Sequence, residues 1–371
     1  MKIALVHDYL VQYGGAERVL EAFCGIWPEA PIFTLIYNPR HFSGKEFLKN
    51  RNIQTSFLQK IPFSRSRHRL FSLLMPLAAE GLNLSDFDVI LSDSSGFAKG
   101  IITRPQTLHV SYCHTPLRYA WDDCHRYLDE FGWPGPIKFI APALINYLRL
   151  WDQAAAKRPE RILANSYFVR RRVKKYYNRE AEVIYPPVEI DKFKPESAVC
   201  AGDYYLAAGR FLPYKKFDIA IEAFNKLKLP LKIIGFGPDF KRLKKMAGST
   251  VEILDWVSDD KVLASYYQKA RAFIFPQEED FGISAVEAMA AGRPVIAFRA
   301  GGALEIVKEG KTGLFFNEQT PASLKEAVLK FQKMNFDSQK IINWAKQFDK
   351  EIFKQKIKNF VEKSYEDFKN S

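Results

Sequence analysis

Short apolar runs alternate with segments of helical period along nearly the whole chain. The runs fall at residues 3–6, 32–37, 89–92, 109–113 and 161–165 in the first half, and at 205–208, 231–234, 251–254, 273–275, 295–298 and 313–316 in the second. Mostly apolar rather than alternating, they predict strands buried on both faces, as in a parallel sheet covered by crossover helices. Between them, residues 16–27, 167–177, 217–227, 259–270, 283–291 and 322–334 carry the spacing that gathers apolar side chains on one side of a helix. The pattern predicts an α/β chain in two similar halves, with no shorter internal repeat. Pro186-Pro187 removes two backbone donors and holds the chain extended, so residues 185–195 are the linker. Near the end, Ile352, Phe353, Ile357, Phe360, Val361, Tyr365 and Phe368 share one helix face, which must pack on one of the two domains.

The length of 371 residues, with 47% hydrophobic and 26% charged side chains, fits two globular domains and excludes a disordered, collagen-like or small stapled chain. Against 42 acidic residues stand 55 Lys and Arg, a net charge of +13. That excess points to a polyanionic partner: nucleic acid, an anionic membrane face, or a phosphate-bearing substrate. Four cysteines, Cys24, Cys113, Cys124 and Cys200, are too few for a disulfide scaffold and form no C-x-x-C pair, which predicts a reduced, cytoplasmic protein. His7 and Asp8 interrupt the first apolar run too early for a secretory leader. Pro142, Asn146 and Arg149 interrupt the most apolar stretch, residues 139–151, so no membrane-spanning helix is expected.

The most informative segment runs from Pro276 through Glu279, Phe281, Gly282, Ile283, Ser284 and Glu287 to Gly292-Arg293-Pro294. It follows a predicted strand and opens a helix that Gly292 and Pro294 would end. The N–H groups of Gly282, Ile283 and Ser284 would then sit at a helix N-terminus, where unpaired donors favour an anion such as a diphosphate. Glu279 and Glu287 flank that seat, and carboxylates accept well from sugar and ribose hydroxyls. The alternative is a solvated loop charge and a carboxylate that complements the helix dipole.

The stretch from Glu279 to Val295 resembles the donor-site signature of the retaining glycosyltransferases of family 4, which have the GT-B fold: two Rossmann-like domains facing a cleft. Gly209-Arg210-Phe211-Leu212-Pro213-Tyr214-Lys215-Lys216 is similar to the family's stretch whose Arg and Lys clamp the leaving diphosphate. Gly14 and Gly15 resemble its glycine-rich first turn, Asn165-Ser166 matches its N-S pair, and His114-Thr115-Pro116 falls where it carries a histidine beside the reacting sugar. Residues 111–122 are most similar to O-antigen and exopolysaccharide mannosyltransferases within the family.

The resemblance implies an acceptor-binding domain at residues 1–187, a donor-binding domain at 188–349 and a C-terminal helix, 350–371, that packs back on the N-terminal domain. It implies transfer of a hexose, mannose from GDP-mannose, to a growing lipid-linked glycan in polysaccharide or lipopolysaccharide biosynthesis, with retention and without a metal or cofactor. His114, Arg210, Lys215 and Glu279 would be catalytic, and Gly14, Gly15, Gly235, Val257, Phe281, Gly282, Ile283, Ser284 and Glu287 would bind the donor. Either Lys215 or Lys216 could face the diphosphate, and His114 could instead be a core or capping imidazole. Asp8 is read as a cap for the Gly14-Gly15 turn.

No spacing of His7, His41, His68, His109, His114 and His125 with Cys or carboxylates suggests a metal site. Gly235-Phe236-Gly237 begins a dinucleotide fingerprint and breaks it, and Asp255-Trp256-Val257 replaces a glycine turn that often borders the nucleobase in the family. Three basic clusters, at 65–69, 170–175 and 241–245, read as solvated faces. The first is followed by the apolar run 70–77, an order suited to an anionic membrane interface, which would place the protein peripherally on the inner face of the plasma membrane. Two rival functions share parts of this pattern. One is a sugar-nucleotide epimerase of the same architecture; the other is a basic nucleic-acid-binding protein, which would need aromatic residues among its basic patches and has only Tyr176 and Tyr177.

Overall fold

The computed structural model describes residues 1–122, 135–195 and 202–371. Cys124, His125 and Cys200 lie outside the described residues; Cys24 and Cys113 are buried. The chain forms two units, Met1–Tyr185 with Phe353–Ser371, and Pro186–Ile352.

Among the described residues the first unit has a seven-stranded sheet: β1 (Ile3–His7), β2 (Ile32–Thr34), β3 (Ile53–Thr55), β4 (Val89–Ser94), β5 (Leu108–Cys113), β6 (Arg161–Ala164) and β7 (Glu182–Val183). Every pairing is parallel, in the order β3-β2-β1-β4-β5-β6-β7. Both faces are covered, which is why β1 is apolar throughout its first four residues. Ile3 and Leu5 face a core that includes Val19, Leu20 and Phe23 of the helix Gly15–Ile26. Their neighbours Ala4 and Val6 point the other way, to Ala78, Ala79 and Phe97.

The C-terminal helix, Lys350–Lys369, brings Phe353, Ile357 and Val361 into the first of these cores. The Phe353 ring stacks on Phe23 with centroids 5.8 Å apart and meets Tyr112 edge-on at 5.7 Å. The apolar face read from the sequence thus packs on the N-terminal unit, while Ile352, at its edge, is exposed.

In the second unit β8 (Tyr205–Arg210), β9 (Leu231–Phe236), β10 (Val251–Leu254), β11 (Phe273–Phe275), β12 (Val295–Phe298) and β13 (Gly313–Phe316) form a parallel sheet in the order β10-β9-β8-β11-β12-β13. Tyr205, Ala207, Ile233 and Ile274 meet Phe217, Ile221 and Phe224 of the helix Phe217–Leu227 on one face. At the linker, Val188 pairs with Asp349: its N–H donates to the Phe348 carbonyl at 3.0 Å and its carbonyl accepts from the Lys350 N–H at 3.0 Å.

Both sheets reverse strand order once, between β1 and β4 and between β8 and β11. The crevice outside the strand C-termini at such a reversal is where open α/β sheets bind ligands. Several elements lack a strong pattern in the sequence. β3 and β7 are short edge strands of three and two residues, and the helices Gly135–Ala155, Phe240–Met246 and Ser338–Ala345 are polar or interrupted by proline. Among the described residues no helix is long and apolar enough to cross a membrane.

Candidate functional site

In the second unit, β11 runs into residues 276–282 and the helix Ile283–Ala290, which Gly282 caps. Gly282 has φ 116°, and a Cβ there would come within 2.8 Å of the Phe275 ring, so both the backbone and the space demand glycine. Phe281 is buried and packs edge-on against Phe348, centroids 5.5 Å apart. Gly282, Ile283 and Ser284 are half-buried, and their N–H groups donate to no group among the described residues. They form the open end of the helix, as the sequence predicts.

The loop is held from behind by a feature the sequence reading passed over, Gly301-Gly302. Gly302 N–H donates to the Glu279 carbonyl at 2.8 Å. Gly301, at φ 62°, lies so close that a Cβ would meet that carbonyl at 2.4 Å. A Gly-Gly pair two residues beyond a predicted strand was the available signal.

The cationic turn comes from β8. Arg210 ends the strand, a short helical turn Pro213–Lys215 follows, and Lys216 takes the left-handed conformation, φ 55°, that starts the helix Phe217–Leu227. Lys215 rather than Lys216 reaches across to the 276–282 loop, where its Nζ forms an ion pair with Glu279 Oε1. The two side chains are only 14% and 18% exposed. Burial pulls the Lys215 pKa down and the Arg210 charge adds to that pull, but Glu279 and Tyr214 outweigh both and leave it raised. Lys215 therefore stays cationic, with a second positive charge close by.

Glu287 is buried inside the helix and accepts a hydrogen bond from the Tyr267 hydroxyl at 3.0 Å. Gly235 has a structural reason: a Cβ there would stand 1.9 Å from the Gly209 carbonyl on the paired strand. Val257 is half-buried beside an aromatic pair the sequence reading left unassigned. Phe236 and Trp256, at the C-terminal ends of β9 and β10, are 48% and 45% exposed, and their rings meet edge-on at 5.8 Å.

The first unit carries a separate cluster at its own strand reversal. His7 ends β1, Asp93 lies on β4 and His114 follows β5. Asp93 Oδ2 lies 2.8 Å from His7 Nδ1, and Asp93 Oδ1 is hydrogen-bonded to His114 Nε2. Glu17 stands on the far side of His7, Oε1 to Nε2 3.7 Å, and its Oε2 accepts the Gly14 N–H at 2.7 Å. Burial pulls the His7 pKa down, but hydrogen bonds to Asp93 and Glu17 and their charges push it up to about 10. Burial would raise the Asp93 pKa; the His114 and His7 imidazoles overcome it and leave it below the usual carboxylate value. Gly14 and Gly15 start the helix Gly15–Ile26 next to this cluster. His114 is thus a strand-end imidazole bound to a carboxylate, not a helix cap, and Asn165 Nδ2 donates to its carbonyl at 2.9 Å.

Two expectations need correction. Asp8 does not cap the Gly14-Gly15 turn: it accepts from Ser95 N–H and Oγ–H, Phe97 N–H and Ala98 N–H at 2.6–2.9 Å, fixing the loop after β4. Glu17 serves Gly14 instead. Nor is the cluster at 170–175 wholly a solvated face, because Arg172 is buried, donating to Thr115 Oγ1 at 2.7 Å and pairing with Asp122. Among the described residues no group of His, Cys, Asp and Glu could hold a metal ion.

The chain matches two family models in succession: Glycosyltransferase Family 4 over residues 13–192 and Glycosyl transferases group 1 over residues 191–348. An uncharacterized glycosyltransferase of Methanocaldococcus jannaschii is 31% identical over 226 residues, 59% of this chain and 63% of that protein. The D-inositol 3-phosphate glycosyltransferase of Streptomyces scabiei is 27% identical over 197 residues, 44% of each chain. The chain thus spans less than two thirds of the length of either relative. Among solved structures, Anabaena HepE in complex with UDP has a TM-score of 0.72 at 18% identity, covering 98% of this chain and 100% of its own. Sucrose-phosphate synthase from Thermosynechococcus elongatus has a TM-score of 0.71 at 16% identity, covering 98% of both chains. These likenesses establish the fold as GT-B.

Proposed function

We propose that this chain, built of a glycosyltransferase family 4 domain followed by a glycosyl transferases group 1 domain in the GT-B fold, transfers a hexose from a nucleotide sugar to a growing glycan with retention and without a metal. The observation that carries this reading is the meeting of the two turns of the second unit. The Lys215–Glu279 pair, with Arg210 close by, adjoins the unengaged amides of Gly282, Ile283 and Ser284. Breaking the bond between an anomeric carbon and a nucleoside diphosphate builds charge on the leaving phosphate. Fixed cations and amides at that point act mostly on the transition state.

In the proposed mechanism Arg210 and Lys215 hold the diphosphate on the Gly282 amides. Glu279, released from Lys215 or shared with it, orients the sugar hydroxyls, and Glu287 reaches the ribose. Phe281 shapes the floor of the seat. The base lies against Val257, Gly235 and the exposed rings of Phe236 and Trp256. His114, with Gly14 and Gly15, contacts the transferred sugar. The acceptor attacks from the leaving-group side, and a diphosphate oxygen takes its proton. Residues 111–122 favour mannose and GDP-mannose, whereas HepE was solved with UDP and with UDP-glucose. A lipid-linked acceptor and peripheral attachment to an anionic membrane face are supported by the basic and apolar surface at 57–77, where Phe63 and Leu77 are 74% and 61% exposed.

A thermal-shift panel of GDP-mannose, UDP-glucose, UDP-galactose and ADP-glucose tests the donor. A ligand at 100 times its Kd stabilises the folded state by about 2.7 kcal/mol, so a shift with GDP-mannose alone is expected. A shift with a uridine donor alone would overturn the GDP-mannose assignment, and no shift with any of them would overturn the donor site. Incubation with donor alone separates transfer from epimerisation, since an epimerase needs no acceptor.

A further inference from the structure

We propose that Asp93 is a positioning residue for His114: its buried carboxylate bridges His7 and His114, fixes the His114 ring with Nε2 protonated, and leaves Nδ1 as the ring atom that meets the substrate. The inference rests on the reading above that His114 touches the transferred sugar.

An ionised carboxylate only accepts hydrogen bonds, so each imidazole nitrogen facing Asp93 must carry a proton. Those nitrogens are Nδ1 of His7 and Nε2 of His114. Asp93 is 1% exposed and His7 2%, so water does not compete for either. His7 lies between two carboxylates, Asp93 and Glu17, and remains a cation through neutral pH. The His114 and His7 imidazoles together overcome the burial of Asp93 and hold its pKa below the usual carboxylate value, so it stays ionised and accepts from both rings. The His114 ring is steadied further by the edge of Tyr112, centroids 5.3 Å apart, and its backbone carbonyl by Asn165. Among the described residues no protein group binds His114 Nδ1. In the neutral ring that atom is an acceptor, matched to a hydroxyl of the sugar rather than to a phosphate oxygen. Control of one imidazole nitrogen through the partner of the other is the general way proteins set a histidine tautomer.

Long-range 1H–15N correlation spectra of the labelled protein at neutral pH read the ring states directly. The expected result is that the neutral ring of His114 carries its proton at Nε2 and not at Nδ1, with His7 protonated at both nitrogens. In Asp93→Asn the amide can present either its oxygen or its NH2, so His114 should become a mixture of tautomers. In the same variant kcat with GDP-mannose should fall about 10- to 100-fold, the usual effect of losing an orienting partner, while KM for the donor stays within about twofold. His7→Gln retains Asp93 and a donor towards it, so it should keep the Nε2–H tautomer, and it serves as the deciding variant where Asp93→Asn does not fold. A neutral His114 ring with its proton at Nδ1 in the wild type, a tautomer switch in folded His7→Gln, or an Asp93→Asn variant with unchanged spectrum and kcat would each overturn the proposal. A wild-type protein with the expected ring states but no transfer from any sugar nucleotide would overturn the transferase reading and leave the ring assignment standing.

Discussion

Arg210 and Lys215 differ in what they can offer a diphosphate: a planar fork of donors in one case, a compact ammonium in the other. Lys215 already has a carboxylate partner in Glu279, so its charge is partly spent before a ligand arrives, whereas Arg210, whose charge lowers the proton affinity of Lys215, carries the fork that matches a diphosphate. Arg210→Ala should therefore lose about 3 kcal/mol of transition-state stabilisation, the scale of one oxyanion donor, read as a fall in kcat of two to three orders of magnitude. Turnover close to wild type would remove Arg210 from the mechanism. The second residue-level prediction concerns His7, whose pKa rises on folding from an ordinary 6.5 to about 10. A raised pKa means the folded state holds the proton more tightly, so this stabilisation is complete below pH 6.5 and is lost as pH climbs through 10. Each pH unit of displacement corresponds to about 1.4 kcal/mol. Urea denaturation of wild type and His7→Gln should show a stability gap that narrows steadily from near pH 6.5 upward; a gap independent of pH would show that His7 is not held as a cation. As candidates, Arg210, Lys215 and His114 were legible in the sequence because each belongs to a local motif. Asp93 was not: it meets His7 across neighbouring parallel strands, 86 residues away in the chain, and no spacing along the sequence signals that encounter.

The elements were legible to the extent that burial wrote them into the pattern. β10, β11, β12 and β13 and the helices Tyr167–Tyr177 and Phe217–Leu227 lie where the apolar periodicity places them, because each presents a full face to a core. β3 and β7 escaped notice because an edge strand of two or three residues has too few buried positions to make a period. β8 and β9 each run two residues beyond the apolar segments, through Gly209-Arg210 and Gly235-Phe236, and those polar or glycine ends are the ones that reach the candidate site. At the site itself the turn between β11 and the Ile283–Ala290 helix is the element with least tolerance. Gly282→Ala imposes a positive φ on a residue with a Cβ and drives that Cβ to 2.8 Å from the Phe275 ring. Backbone strain of this kind costs about 1–3 kcal/mol, and relief would tilt the Ile283 and Ser284 amides away from the anion. The variant should unfold at lower urea concentration and lose any thermal shift that a nucleotide sugar gives the wild type. Retention of both would mean that the turn neither is strained nor seats the phosphate. For the C-terminal helix, Phe353→Ala removes a fully buried ring wedged between Phe23 and Tyr112. It should cost about 3–5 kcal/mol of stability, as large-to-small core changes of phenylalanine do. A loss within 1 kcal/mol, in chemical denaturation followed by fluorescence, would contradict the packing of this helix on the first unit.

At the scale of the whole molecule the division into two doubly wound units was legible because the strand-and-helix pattern is written twice and Pro186-Pro187 interrupts it between the copies. What the excess of 13 positive charges serves was not, since charge alone does not distinguish phosphate-bearing substrates from membranes or nucleic acid. The structure narrows the choice by showing which basic residues are engaged. Arg172 is buried against Thr115 and Asp122, and Arg242 is paired with Asp239 and Asp218. Arg65 and Arg67, by contrast, are exposed in the same stretch of chain as Phe63, Leu70 and Leu77, which are 74%, 60% and 61% exposed. Large apolar side chains and cations exposed within one short stretch suit an interface in which the chains enter the headgroup layer and the cations meet anionic lipid. Each Arg near an anionic surface contributes about 1 kcal/mol, so Arg65→Gln with Arg67→Gln should weaken binding to phosphatidylserine vesicles by about 2 kcal/mol, roughly 30-fold. Phe63→Ser with Leu77→Ser should weaken it without changing its salt dependence, because the apolar contribution is not screened, whereas the arginine variant should flatten that dependence. Flotation with phosphatidylserine and with phosphatidylcholine vesicles, at low and high salt, reads both effects. Binding to neither vesicle at low salt, or equal binding by all variants, would return this surface to an ordinary solvated one. Retained binding of the arginine variant to nucleic acid with a steep salt slope would instead favour the third class of polyanion.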